Sequence, residues 1–263
     1  MTPLSDIASY NTNMRKSLSD KLWWLDKVDE NISTVIDYGC ADGALLEAIS
    51  ISNPQAKLYG YDFSPDMVEI ANRNLEGKAF ISEVYSQIVA KADVSAAVLS
   101  VSSVFHEIMN YSPVPQDDFD RIFGIGIKYI AIRDMFVSEK AFYKSDEENL
   151  RAIRANYSAN MLDEFEHYIG SLEENQNLLQ FCLTYRYKIN WKREVRENYF
   201  PYTIEEFMKM IPSSYEPIYF EHYILPFAKE SVERDFGFTI HDNTHGKILL
   251  RKKHEDSTAI SWY

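Results

Sequence analysis

Two short stretches carry residues whose types and spacing suit a bound ligand: "VIDYGCADG" (Val35 to Gly43), a β-branched run closing in an acidic turn, and "YGYDF", where Asp62 ends the next such run. Gly39 has no Cβ, so its backbone can take unusual dihedrals and let a ligand come close, while Gly43 permits tight packing of the element that follows. A carboxylate at the tip of a second strand can accept hydrogen bonds from both hydroxyls of a ribose. The turn Gly39-Cys40-Ala41-Asp42-Gly43 lacks the middle glycine of a dinucleotide fingerprint, and Asp37 and Asp42 would repel a pyrophosphate. A nucleoside bearing positive charge fits these residues better. The plainer readings are that both glycines serve the turn alone, that Cys40 is a small buried residue, and that Asp42 caps a helix.

A second group lies in "SVSSVFHEIMNY": Ser102, Ser103, His106, Glu107 and Tyr111. His106 has the usual pKa of a general base near neutrality. Glu107, its sequence neighbour, points to another side of a helix and does not make a simple dyad with it. Ser103 is the natural N-cap there, and His106 either reacts or merely packs. Further on, "IAIRDM" puts Arg133 at a strand tip, where it orients a substrate anion or pairs with an acidic neighbour.

These residues need elements to hold them. Apolar spacing in "MRKSLSDKLWWLDKV" predicts a helix lying on the domain, and residues 1–30 form an N-terminal helical segment. Strands are expected at "STVIDYG", "KLYGYDF", "KAFISE", "AAVLSVSS" and "KYIAIRDM". Helices are expected at "ALLEAISIS", "SPDMVEIANRNLEG", "SEVYSQIVAKA" and "VFHEIMN". Ser64 as N-cap, Pro65 at the first helical position and Gly77 as a stop frame the second of these helices. Such alternation implies a doubly wound, mostly parallel α/β sheet with helices on both faces, over residues 31–137. Residues 138–198 have helical patterns without strands and are read as a helical cap insertion. Residues 199–263 return to an α/β pattern that completes the core: a capping box at Thr203 and Glu206, a strand at "PIYFEHYIL", a helix closed by Gly237 and a last strand at "KILLRKK".

Taken together, "VIDYGCADG" and "YGYDFSPDMVEIA" resemble the first motif and following acidic strand of class I S-adenosylmethionine-dependent methyltransferases, from about Thr34 to Met135. The resemblance implies a Rossmann-like methyltransferase fold, S-adenosylmethionine as cofactor and S-adenosylhomocysteine as product. It implies that Asp37, Gly39, Cys40, Ala41 and Gly43 form the methionine side of the site and that Asp62 binds the ribose. Phe63 and Met67 would border the adenine, with Glu83 near its amino group, and Ser102 would belong to the cofactor side. Methyl transfer needs positioning above all, with a base optional. His106, Glu107, Tyr111 and Arg133 are the catalytic candidates.

The chain has 263 residues, enough for one large core, and a net charge of −13 that disfavours indiscriminate binding to nucleic-acid phosphates. A small-molecule acceptor is the first expectation. The alternative is RNA, such as tRNA, read by the aromatic and basic segment Thr184 to Phe200, although a solvated cap face would look the same. A third reading is a non-catalytic module that binds the cofactor or its product as a sensor. No "NPPY"-like stretch follows the fourth strand, which weighs against methylation of base amino groups. The two cysteines are read as free thiols, no His/Glu set shows metal-ligand spacing, and no leader pattern or long apolar run is evident, so no metal, no membrane and a cytoplasmic location are expected.

Overall fold

The structure is a computed structural model that describes residues 18–253. Its seven strands form one sheet in the order β3-β2-β1-β4-β5-β7-β6. They are β1 (Thr34–Tyr38), β2 (Lys57–Tyr61), β3 (Ala79–Ser82), β4 (Ala97–Ser102), β5 (Tyr129–Met135), β6 (Tyr215–Tyr223) and β7 (His245–Lys252). All are parallel except β7, which runs antiparallel to both β5 and β6. Every residue of β1 and β4 is buried, as expected for central strands covered on both faces.

One face packs on α2 (Ala44–Ser52) and α3 (Pro65–Leu75), through Leu46, Ile49, Ala71 and Leu75, together with Trp24 from the N-terminal segment. The other packs on α4 (Tyr85–Lys91), α5 (Phe105–Tyr111), α6 (Pro115–Phe123) and α11 (Ile204–Met210), through Ile88, Phe105, Phe119 and Phe207. This is the doubly wound, mostly parallel sheet with helices on both faces that the alternation implied. Order reverses between β1 and β4, so the turns after these two strands open side by side at one edge. Because β7 is reversed, its first residue, His245, stands at that same edge opposite Met135, the last residue of β5.

Several local expectations change. Among the described residues the N-terminal helix is α1 (Leu18–Lys21), which stops before the tryptophans; the chain then makes tight turns through Leu25 and Lys27, because Trp24 buries under the sheet while Trp23 packs on Tyr219 of β6. Met14 lies outside the described residues. Helix α6, absent from the sequence reading, carries local signals nonetheless: Pro115 in its first turn, Asp117 and Asp118 beside it, and Arg121 in its last turn. The capping box at Thr203 and Glu206 forms with both bonds made.

Between β5 and α11 lie α7 (Glu147–Asn156), α8 (Ala159–Tyr168), α9 (Asn175–Thr184) and α10 (Trp191–Glu194). Their core includes Ile153, Phe165 and Phe181, but also Val232, Phe236 and Ile240. Helix α12 (Pro226–Phe236) therefore packs with the cap helices although it belongs to the later part of the chain. Among the described residues no helix is long and apolar enough to cross a membrane.

The β1–α2 turn depends on two left-handed glycines. Gly39 has φ +80°, and a Cβ there would stand 2.6 Å from Val104 Cγ2; Gly43 has φ +81°, and a Cβ there would stand 2.9 Å from Leu75 Cδ1. Gly43→Ala combines a disfavoured backbone with a clash against α3, and should destabilise the fold by about 1–3 kcal/mol, seen as a lower urea midpoint at unchanged slope.

Candidate active site

The turn after β1 and the tip of β2 are tied together by Asp62. One carboxylate oxygen accepts the Ala41 amide at 2.9 Å and the other accepts the Ser64 amide at 2.9 Å, while Gly39 and Cys40 donate to the Tyr61 carbonyl. Each Asp62 oxygen keeps acceptor capacity after these bonds. Burial raises its pKa, against the pull of those two amides. Asp37, at the end of β1, is buried and pushed up to about 6 by desolvation, with Asp62 adding to the rise and Lys21 opposing it.

Lys21 has no counterpart in the sequence reading. The short α1 carries its ammonium beneath the N-terminal segment, where burial and Arg133 bring its pKa down to about 8 and Asp37, Asp42 and Glu107 hold it up. Nothing local marks this lysine, since its partners come from β1, the following turn and α5.

The remaining cofactor candidates fall at the same edge. Cys40 is buried and its thiol is driven well up by burial and the nearby aspartates, which makes it a packing residue. Asp42 accepts the Ala44 amide at 3.2 Å. Phe63 is 56% exposed, Met67 is buried at the start of α3, and Ser102 is buried at the end of β4. Glu83 lines a separate cavity of about 690 Å³ with Tyr61, Tyr85 and Arg121.

The larger cavity, about 700 Å³, lies between the sheet edge and the cap and is lined by His106, Glu107, Arg133, Arg186, Arg193 and His245 among others. Of the catalytic candidates, His106, Glu107 and Arg133 reach it; Tyr111 stands behind it and donates to Glu197 at 3.2 Å. Arg133 is occupied, with Nε 2.9 Å from Asp20 and Nη1 donating to Ser103 Oγ at 2.8 Å. Of the two roles read for it, pairing with an acidic neighbour is the one observed.

The role expected for His106 changes. Nδ1 is 2.7 Å from Asp134 and Nε2 is 3.2 Å from Glu197, so both ring nitrogens face carboxylates. Burial alone would lower its pKa, but Asp134 and Glu197 outweigh burial and raise it well above 6.5. His106 is an imidazolium at neutral pH and has no lone pair with which to accept a proton. Nor does Ser103 cap α5: it sits at φ +59°, and the Val104 and Phe105 amides are accepted by Asp134 at 2.9 and 2.7 Å. Glu107, raised to about 7 by burial and Glu197, bonds Arg193 of the cap at 2.8 Å.

No His/Glu set shows metal-ligand spacing along the sequence, but the fold brings ligand atoms of His106, Glu107 and Glu197 within 4.8 Å of one another. Arg193 and the His106 proton occupy that cluster electrostatically, as an ion-pair network.

His245, which nothing local in the sequence marks, has the opposite environment. It is buried at the cavity wall, its Nδ1 is 2.9 Å from Thr244 Oγ1, and burial plus the charges of Arg133, His106, Arg186 and His222 lower its pKa well below 6.5. It is the neutral imidazole of this edge.

The segment Thr184 to Phe200 does not form a base-stacking face. Tyr185, Trp191 and Tyr199 are buried, with Trp191 donating to Glu164 and Tyr185 to Asp235.

A seven-stranded sheet of this order, with a single reversed strand and an acidic ligand-sized edge at the β1/β4 switch point, defines the Rossmann-like methyltransferase fold. Residues 29–123 match a family model described as a methyltransferase domain. A SAM-dependent methyltransferase from Anabaena variabilis ATCC 29413 superposes with a TM-score of 0.51 at 11% identity, covering 92% of this chain and 86% of that one. The plantazolicin methyltransferase BpumL in complex with SAH gives a TM-score of 0.50 at 14% identity, covering 93% and 89%. At these identities the likeness is one of fold. No curated protein matches the sequence. Residues 29–123 thus form a methyltransferase domain, and the chain as a whole has the fold of S-adenosylmethionine-dependent methyltransferases.

Two histidines with opposed surroundings should titrate apart. In ¹⁵N spectra His106 should stay doubly protonated well past pH 7, while His245 stays neutral to well below pH 6. The His106 pKa is raised on folding, so its stabilisation is complete below pH 6.5 and is lost as the pH climbs through the folded value. His106→Gln leaves Asp134 and Glu197 facing each other without a cation and should cost about 3–5 kcal/mol, read by urea unfolding at pH 6, with the pH dependence above 6.5 diminished.

Proposed function

We propose that the protein transfers a methyl group from S-adenosylmethionine to a small molecule held in the cavity between the sheet edge and the cap. The observation that carries this reading is the position of that cavity, beside the β4–α5 turn and reached by side chains from both core and cap. Bound at the β1/β2 edge, the cofactor would supply a methyl group already activated on a sulfonium.

The chain's own residues suit that ligand. Asp62 offers its remaining lone pairs to a ribose, and Gly39 leaves the backbone bare where a side chain would already meet Val104. An amino-acid tail carries an ammonium and a carboxylate; Asp37 matches the first and Lys21 the second. The exposed ring of Phe63 is available to an adenine. On the acceptor side, Glu107 and Glu194, pushed up to about 7 by burial, line the cavity with the neutral His245 as groups that can take a proton from an acceptor that must lose one, and His106 positions α5 and the cap.

The RNA alternative is weakened because Tyr185, Trp191 and Tyr199 are packed inside the cap, while Tyr187 is half-buried at the cavity. The sensor alternative makes the same demands on the Asp62 side and is separated only by turnover.

Calorimetry with S-adenosylmethionine and its demethylated product tests the reading. Both should bind the wild type, and Asp62→Asn should weaken them at least tenfold, about 1.4 kcal/mol. Asp37 must be ionised to meet the ammonium, so affinity should fall as the pH drops below about 6. Wild-type protein that binds neither ligand at pH 7.5 would end the proposal.

A further inference from the structure

The large cavity holds five arginine or lysine side chains, and four of them are paired with carboxylates. Arg133 and Lys247 share Asp20 at 2.9 and 2.7 Å, Arg193 meets Glu107 at 2.8 Å, and Arg234 meets Asp235 at 2.8 Å. Arg186 is the exception: among the described residues no carboxylate lies within 4 Å of it. Asp235, whose charge it feels, is taken up by Arg234 and by the Tyr185 hydroxyl at 2.7 Å.

Arg186 is nevertheless held in place. Its guanidinium stacks over the Phe227 ring, 4.5 Å from the centroid, and Nη1 donates to Ser231 Oγ at 3.3 Å. Its Nε is buried with no acceptor. A guanidinium fixed by stacking, with one N–H unsatisfied and no counter-charge, is pre-organised for an oxyanion, since orienting the fork costs little further entropy. Met135, Leu183, Leu225 and Pro226 give the cavity an apolar part of its wall, while Asp20, Glu107, Glu194, Glu197 and the neutral His245 line it as well.

We propose that Arg186 binds the anionic group of the methyl acceptor, and that the acceptor is a compact organic anion with an apolar body, a carboxylate or a phosphate monoester. The proposal rests on the reading of the cavity as an acceptor site, and it names the chemical class that site selects. It also assigns anion recognition to the cap, where the sequence had suggested Arg133 of the core.

Three probes test it by ligand-observed NMR on the full-length protein: phenylacetate, phenyl phosphate and the neutral phenylacetamide, each with and without S-adenosylhomocysteine. At least one anion should bind the wild type tenfold or more tightly than the amide, and the tighter of the two identifies carboxylate or phosphate as the source. Arg186→Gln should weaken that anion at least tenfold, leave the amide as it was, and leave S-adenosylhomocysteine affinity unchanged. Should that variant fail to fold, the wild type still decides: the Arg186 Nε–H resonance should move on titration with the anion and stay still with the amide. Equal binding of anion and amide, binding of none of the three, or an anion affinity untouched by Arg186→Gln overturns the proposal. Anion selectivity in a protein that fails to bind S-adenosylhomocysteine would instead leave Arg186 as an anion site and remove only the methyl-transfer reading.

Discussion

A buried imidazolium between two carboxylates, His106 with Asp134 from β5 and Glu197 from the cap, is the interaction on which the functional edge depends. Three charges out of water would be costly if any one stood alone, so each must be saturated by hydrogen bonds. Asp134 does this while also accepting the Val104, Phe105 and Met135 amides, which starts α5 and orients it on the sheet. Glu197 is further held by Tyr111 and lies 3.6 Å from Arg193. Core, helix and cap thus meet at one ring, and the cavity beside it takes its shape from that junction.

Two oppositely built halves then share the edge. Towards β1 and β2 the groups are acidic, Asp37, Asp42 and Asp62, with Lys21 as the cation set against them. Towards the cap the cavity is rich in arginine, most of it balanced by neighbouring acids. A chain with a net charge of −13 therefore encloses a cavity in which Arg186, among the described residues, has no carboxylate within 4 Å. The two histidines of this edge express the same division: similar burial gives a charged ring where carboxylates touch both nitrogens, and a neutral ring where arginines surround it.

The cap is a packing unit that the order of the chain conceals. Its core takes Phe165 and Phe181 from the segment after β5, and Val232 and Phe236 from α12, which follows β6. Pro217 in β6 coincides with a register shift against β7, a tolerable irregularity on an edge strand that lacks a partner on its far side.

Legibility in the sequence follows the range of the interactions. The β1–turn–α2 and β2–α3 units were readable because their signals are local: β-branched runs, Gly39 and Gly43 in left-handed turns, and Ser64 with Pro65 opening a helix. Helix α6 carries signals of the same local kind, whereas the end of α1 at Lys21 was not readable, because two adjacent tryptophans find different tertiary partners. By itself the sequence determined the parallel, doubly wound character of the N-terminal half and the clustering of Asp37, Gly39 and Asp62, since spacing along a βαβ unit places them. Only the tertiary structure decided which histidine is charged, which arginine lacks a counter-ion and that Lys21 faces Asp37, because protonation and pairing depend on groups brought together from distant parts of the chain.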